Sequence, residues 1–189
     1  MPEEAGYKEA RAISEAAREK EWKLPSFGKG LYLGDFQPEL ISPQPAMAAD
    51  AVEKGERFLA ALRAFLEDEV DPQAIERDGR ISDEVIAGFK DLGALGMKVP
   101  VQYGGLGLSQ VYYNRAMMLV GTWHSSLSTL LSAHQSIGLA QPLLLAGSEE
   151  QKREWLPKVC TSHLSAFALT EPGVGSDAAN LACRTATAT

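Results

Sequence analysis

The sequence predicts an α+β protein, an all-α N-terminal helical domain followed by the start of a small β domain. Three observations predict it. From Met47 to Trp155 apolar residues recur mostly every three or four positions, the spacing of a single helix face. After Pro157 the texture changes to two short runs, Ser165–Thr170 and Leu181–Thr189, that read as strands. Between them lies a turn rich in proline and glycine, Glu171-Pro172-Gly173-Val174-Gly175-Ser176-Asp177. The expected division is an irregular arm over 1–45, a helical domain over 46–160 and the first strands of a β domain over 161–189. Two strands alone are marginally stable, so the chain reads as stopping inside a domain.

The arm opens with a charged, Ala-rich stretch, Ala5–Lys23, that can form a helix with a solvated face. Pro25, Gly28, Gly30, Gly34, Pro38, Pro43 and Pro45 then come too close together for any long helix. Leu31-Tyr32-Leu33 and Phe36 are the expected anchors of this arm on a larger surface. In the first helix of the helical domain, Val52, Leu59, Leu62, Leu66 and Val70 mark the buried face, with Phe58 and Phe65 beside them. Asp71-Pro72 stops it. Ser82 is an N-cap candidate for the next helix, with Asp83 and Glu84 in its first turn. Val85, Ile86, Phe89, Leu92 and Leu95 form its stripe, and Gly96 is expected to close it.

The glycine-rich loop Val99–Leu108 follows, and Ser109 caps a third helix running to about Val120. His124–Leu145 is apolar nearly all round and predicts a buried helix, in which Pro142 either makes a kink or starts a fresh turn. Ser148-Glu149-Glu150-Gln151 has capping-box spacing and opens a helix through Trp155.

Composition narrows the function classes. With 25 acidic against 18 basic residues in 189, the formal charge is −7, which argues against a nucleic-acid binder. Two cysteines, Cys160 and Cys183, exclude a disulfide scaffold and favour a reducing compartment. No apolar run is long enough to span a bilayer. The N-terminal stretch mixes Glu3, Glu4, Glu9 and Glu15 among its bases and lacks an apolar core, so it fits no targeting signal. A cytoplasmic protein is expected.

Chemistry concentrates in Phe167–Asp177. Gly173 and Gly175 allow close approach to the backbone, successive N–H groups in such a turn form a concavity for anions, and Ser176 adds a hydroxyl. Phosphate is the obvious guest, and an ordinary hairpin turn is the bland alternative.

The wording Thr170-Glu171-Pro172-Gly173-Val174-Gly175-Ser176-Asp177 after a small apolar run resembles the signature of the acyl-CoA dehydrogenase family. Phe89-Lys90-Asp91-Leu92-Gly93-Ala94-Leu95-Gly96, Tyr103-Gly104-Gly105-Leu106-Gly107, Ser132–Gly138 and Gly147–Lys152 are similar to family wording in the same order. The likeness covers residue 50 to the end. Ala133-His134-Gln135-Ser136-Ile137-Gly138 and Ser26–Leu31 most resemble the very-long-chain branch.

The resemblance implies an N-terminal helical domain, a middle β domain and a C-terminal four-helix domain, of which this chain is a truncated part. It implies FAD as cofactor and an acyl-CoA substrate oxidised to the trans-2-enoyl-CoA in fatty-acid β-oxidation. An electron-transfer flavoprotein would take up the electrons, and the whole protein would be a homodimer or homotetramer. Carried onto this sequence, Phe167, Ala168, Leu169, Thr170, Gly173, Gly175 and Ser176 would bind the cofactor. Thr170 would face the ring edge where charge grows, Gly175 and Ser176 the pyrophosphate, and Ser176 also the substrate. No catalytic residue is assigned. The family's base is a glutamate in the C-terminal part, so Glu171 is read as structural and this piece alone as inactive. A flavin oxidase or monooxygenase on the same scaffold, such as a nitroalkane oxidase, and a non-catalytic assembly module are the alternatives.

Other residues carry paired readings. His134 is either a core histidine bonded to a backbone carbonyl or a group facing the acyl cavity. His124 and His163 lack partners at metal-ligand spacing, and no metal site is expected. Cys160 and Cys183 read as small apolar groups, and Met117-Met118 as helix core. Ser125, Ser126, Ser128, Thr129, Ser132 and Ala133 either border a tunnel for a long acyl tail or let a neighbouring helix pack closely. Gly104–Gly107 lacks the strand-before, helix-after setting of a dinucleotide fingerprint and reads as a structural turn near the cleft.

Overall fold

The computed structural model describes residues 25–43, 46–177 and 182. The chain divides into two units, Met1–Met47 and Ala48–Thr189. The expected helix over Ala5–Lys23 and most of the second expected strand, Leu181–Thr189, lie outside the described residues.

Among the described residues of the first unit the longest regular piece is α1 (Phe27–Tyr32), six residues capped by the Ser26 hydroxyl. A 3-10 turn follows at Pro38–Leu40, where proline fits because the first helical N–H groups have no partner to lose. The Phe27 and Phe36 rings meet edge to face at 5.9 Å. Leu31, Tyr32, Leu33 and Phe36 are all exposed.

The second unit begins with α2 (Ala49–Glu69). Its buried line is Gly55, Phe58, Leu62 and Leu66, so Phe58 joins the core while Val52 and Leu59 flank it half-buried. Asp71-Pro72 stops α2 as expected, yet the same pair starts α3 (Pro72–Asp78), which the sequence reading did not foresee. Asp71 accepts the Gln73 N–H at 2.9 Å, and proline occupies the position where its missing donor costs nothing. Ser82 caps α4 (Asp83–Asp91) by accepting the Val85 N–H. Gly93, not Gly96, ends this helix. Its φ of 72° is the left-handed conformation that glycine adopts without strain. Gly96 lies in the following 3-10 turn, where a Cβ would press on the Cys160 sulfur and the Gly105 backbone.

Residues 96–108 fold back on themselves. Leu106, Gly107 and Leu108 donate their N–H groups to the carbonyls of Gly96, Val99 and Met97 at 2.7–2.9 Å. Ser109 caps α5 (Gln110–Trp123), which runs three residues past its expected end.

The expected single helix over His124–Leu145 is instead three pieces. α6 (Ser125–Ser132) leads into a π-helical segment, Ala133–Ile137, and after Gly138 comes α7 (Ala140–Ala146). It is also not buried on all sides, since Ser125, Ser126, Thr129 and Ile137 face solvent. Pro142 is the third residue of α7, inside its first turn where no intrahelical N–H is lost, so it lies in a fresh turn but not at the first position expected. α8 (Glu149–Thr161) carries the full capping box between Ser148 and Gln151 and continues past Pro157, beyond its expected end.

Two clusters make the core. The larger joins Phe58, Leu62, Leu66, Phe89, Tyr112, Leu127 and Leu131 across α2, α4, α5 and α6, and the smaller joins Val99, Tyr103, Leu143, Leu156, Val159 and Cys160. Among the described residues no helix is long and apolar enough to cross a membrane.

The expected strand over Ser165–Thr170 does not form. The segment is extended without ladder pairing, and the β element among the described residues is one antiparallel bridge, Glu171 to Val174. A strand is stabilised by the neighbour it bonds to, and among the described residues no such neighbour stands beside this segment. The helical part of the expected architecture is present, and among the described residues no strand of the expected β part is formed.

Candidate functional site

Two features face outward where chemistry could occur. One is the extended segment 165–177. The other is a groove over α5, α6 and the π segment.

The segment ends in a tight turn. Glu171 and Val174 exchange backbone hydrogen bonds in both directions at 3.0 Å, leaving Pro172 and Gly173 at the tip. A Cβ built on Gly173 or Gly175 would have nothing within 4 Å, so solvent-accessible space adjoins both backbones. Phe167, Ala168, Leu169, Thr170, Gly173, Gly175 and Ser176 are all exposed. The structure thus keeps the seven sequence-selected residues on one open stretch. Glu171 accepts the Ala182 N–H at 2.9 Å.

The groove encloses about 530 Å³ and is lined by Met117, Met118, Ser128, Thr129, Ser132, Ala133 and Ile137. Four of the six small residues singled out in sequence line it; Ser125 and Ser126 do not. The Ser128 hydroxyl donates to the Ser125 carbonyl at 2.9 Å, which satisfies that group within the helix. Ser128 also lies beside Gly121 of α5, so the close-packing reading holds at that residue. Met118 is 72% exposed, which corrects its reading as core. It sits on the outer face of α5, and Met117 beside it is half-buried. Among the described residues no charged side chain lines this groove.

Between the two features stands His134, buried as expected. The Ser165 N–H donates to its Nδ1 at 2.9 Å, so Nδ1 carries the lone pair. Nε2 therefore carries the proton and donates to the Val159 carbonyl at 2.8 Å. Burial holds its pKa below the ordinary histidine value, opposed in part by the bond to Val159. The neighbouring Gln135 is buried too. It donates to the Ala94 carbonyl at 2.9 Å and accepts the Lys98 N–H at 3.4 Å. Next to it Ser136 meets the Tyr113 hydroxyl at 3.0 Å, with Lys98 over the Tyr113 ring.

The remaining candidates resolve simply. His124 accepts the Ser126 N–H at Nδ1 and faces Glu76 from Nε2 at 2.8 Å, joining α6 to α3. His163 bonds the Ser162 hydroxyl. Among the described residues no three such side chains gather as metal ligands. Burial pushes the Cys160 thiol up to about 11, so it stays protonated and unreactive at neutral pH. Cys183 lies outside the described residues. The Gly104–Gly107 loop is a turn whose Gly105 and Gly107 backbone lies against Val99.

Comparison with known proteins decides the family. The N-terminal domain of acyl-CoA dehydrogenases matches residues 53–163. The chain belongs to the acyl-CoA dehydrogenase family. It is 52% identical over 92% of its length to the probable acyl-CoA dehydrogenase FadE10 of Mycobacterium tuberculosis, of which it covers 27%. It is 37% identical over 82% of its length to the mitochondrial very long-chain specific acyl-CoA dehydrogenase of mouse, covering 24% of that protein. Among solved structures it matches an acyl-CoA dehydrogenase of Bacillus anthracis complexed with FAD at a TM-score of 0.61 and 30% identity, over 75% of this chain and 24% of that one. The chain therefore spans about a quarter of the curated relatives it matches.

Within the acyl-CoA dehydrogenase domain, sequence reasoning missed the residues that tie the outward features together. Ser165 carries no local motif and Gly138 stood in a family word without an assigned role, and the contact between them joins positions more than twenty-five residues apart. Gln135 and Ser136 stood inside a recognised word but had no assigned role. The run of three polar residues His134-Gln135-Ser136 amid leucines, isoleucine and alanines was the available signal.

Proposed function

We propose that the protein containing this chain is an FAD-dependent acyl-CoA dehydrogenase that oxidises long-chain acyl-CoA thioesters to trans-2-enoyl-CoA in fatty-acid β-oxidation. The observation that carries the reading is the open turn at Glu171–Ser176 beside a helical block of this family. Its glycines leave room for a diphosphate to approach the backbone, and Ser176 offers a hydroxyl donor. These residues fit a flavin nucleotide.

FAD, when bound, supplies the two-electron acceptor. Gly173, Gly175 and Ser176 hold its diphosphate. Phe167, Ala168 and Leu169 supply apolar and backbone contact, and the Thr170 N–H and hydroxyl donate toward the ring edge where negative charge develops. Ser176 also orients the substrate. The uncharged groove over α5 and α6 takes the acyl tail, since small side chains leave space and no charge requires desolvation there. The catalytic base is a glutamate beyond this chain, so the 189 residues alone do not turn over. A cytoplasmic homodimer or homotetramer passing electrons to an electron-transfer flavoprotein completes the reading.

The test uses the full-length protein. Its visible flavin absorbance is expected to bleach with palmitoyl-CoA, and more readily than with butyryl-CoA. Preference for butyryl-CoA would remove the long-chain assignment. A flavin that bleaches only with a nitroalkane would favour the oxidase alternative, and no bleaching with any acyl-CoA an assembly role.

A further inference from the structure

The π segment Ala133–Ile137 stitches together parts of the chain far apart in sequence. Its wide turn places both His134 and Gln135 in the interior, where they are 1% and 2% exposed. Gln135 fixes the 94–98 turn, and His134 fixes the last turn of α8 and the first residue of the extended segment. That residue, Ser165, is held three ways. Its N–H donates to His134 Nδ1 at 2.9 Å, its hydroxyl donates to the His134 carbonyl at 3.1 Å, and its oxygen accepts the Leu139 N–H at 3.1 Å. Gly138 makes this approach possible, because any Cβ there would overlap the Ser165 hydroxyl and the His134 carbonyl.

From Ala166 to Thr170 every residue is exposed, so packing does not fix this run's position. Polar contacts at its start do that work. We propose that buried His134 and half-buried Ser165 form a polar clamp that positions the flavin-facing segment 167–176. The same π segment lends Ala133 and Ile137 to the groove, so one short turn sets the cofactor strip and part of the acyl wall together. This inference rests on the reading of 167–176 as the flavin strip. His134 is thus a positioning residue, acting through Ser165 rather than on the reacting atoms.

Two isosteres separate its bonds. In His134→Asn the side-chain oxygen stands near the place of Nδ1 and keeps the Ser165 N–H partnered, while reach to Val159 is lost. In His134→Gln the amide reaches Val159 and abandons Ser165. The full-length apoprotein of each is titrated with FAD by quenching of flavin fluorescence, with visible circular dichroism of the bound flavin and thermal stability measured alongside. His134→Gln is expected to bind FAD about tenfold more weakly with an altered flavin spectrum, while His134→Asn stays near wild type, although both lose stability. Equal FAD affinity and unchanged spectra in both variants, with stability lost, would overturn the clamp and leave the flavin strip standing. A wild-type full-length protein that binds no FAD would overturn the strip itself, and the clamp with it. Should His134→Gln not fold, Ser165→Ala decides. It leaves α8 untouched and is expected to weaken FAD in the same direction, and wild-type affinity there overturns the clamp.

Discussion

From Ala49 to Thr161 every α-helix contributes at least one buried side chain to a core, whereas from Ser165 to Asp177 no residue is buried. The two stretches adjoin in sequence and are held by different forces. The helical block is fixed by removal of apolar area from water, a term without direction that tolerates no voids. The extended segment is fixed by hydrogen bonds at Ser165 and by the Glu171–Val174 turn, directional contacts that set position while leaving surfaces open. Under the proposed function the second way suits a segment that meets a cofactor, because burying it would remove the groups that would do the binding.

Removing a large side chain from each stretch should show the largest contrast. Phe89 is fully buried and meets Phe65 edge to face at 5.4 Å. Phe89→Ala is expected to cost about 3–5 kcal/mol in urea unfolding followed by circular dichroism. Phe167 is 55% exposed, and Phe167→Ala should change stability by no more than about 0.5 kcal/mol. Comparable costs would break the comparison.

Glycine replacement gives the next largest difference. Any Cβ on Gly55 would overlap the Tyr112 ring, so Gly55→Ala should destabilise by about 1–3 kcal/mol even though alanine is the better helix former. Gly173→Ala meets empty space and should be nearly neutral for stability while weakening FAD in the full-length protein. A stabilised Gly55→Ala would show that the block is looser than its packing indicates.

A local contribution within the block comes from the α8 cap. Ser148→Ala removes the hydroxyl that accepts the Gln151 N–H, with an expected loss of about 1 kcal/mol read from the same unfolding curves.

The smallest effect concerns pH. His134 has a folded pKa below its ordinary 6.5, so the unfolded chain binds the proton more readily. Its contribution to stability is present above about pH 6.5 and is lost as pH falls from there toward the lowered folded value. Unfolding curves at a series of pH values should show wild type losing stability over that window and His134→Asn losing less. Wild-type stability rising as pH falls through this range would contradict a neutral, clamped His134.

Much of the helical block was legible because its signals are local. Ser82, Ser109 and Ser148 each cap the helix they were expected to cap. Leu62, Leu66, Val85 and Phe89 fall on buried faces because spacing alone puts them on one side of a helix. Where two local signals competed, the reading failed. Asp71-Pro72 marks a stop and a start equally well, and Gly93 and Gly96 both suit a helix end, so only backbone geometry separates them. The long helix over His124–Leu145 failed for another reason. Its apolar run carries no strong breaker before Gly138, while the π turn exists because His134 and Gln135 find partners in distant parts of the chain. The strand over Ser165–Thr170 was read from residue type, and a strand needs a neighbour that residue type does not supply.

The linear order of residues determined that the block is helical, where most of its helices start, most of the side chains they bury, and the acyl-CoA dehydrogenase wording at 170–177. It could do so because periodicity, caps and turn glycines act within a few residues. Only the tertiary structure decided that His134 holds Ser165, that Gly138 must lack a side chain, and that Met118 belongs to a groove rather than the core. Those outcomes depend on groups brought together from positions far apart in the chain, and their distance in space is not encoded in any local window.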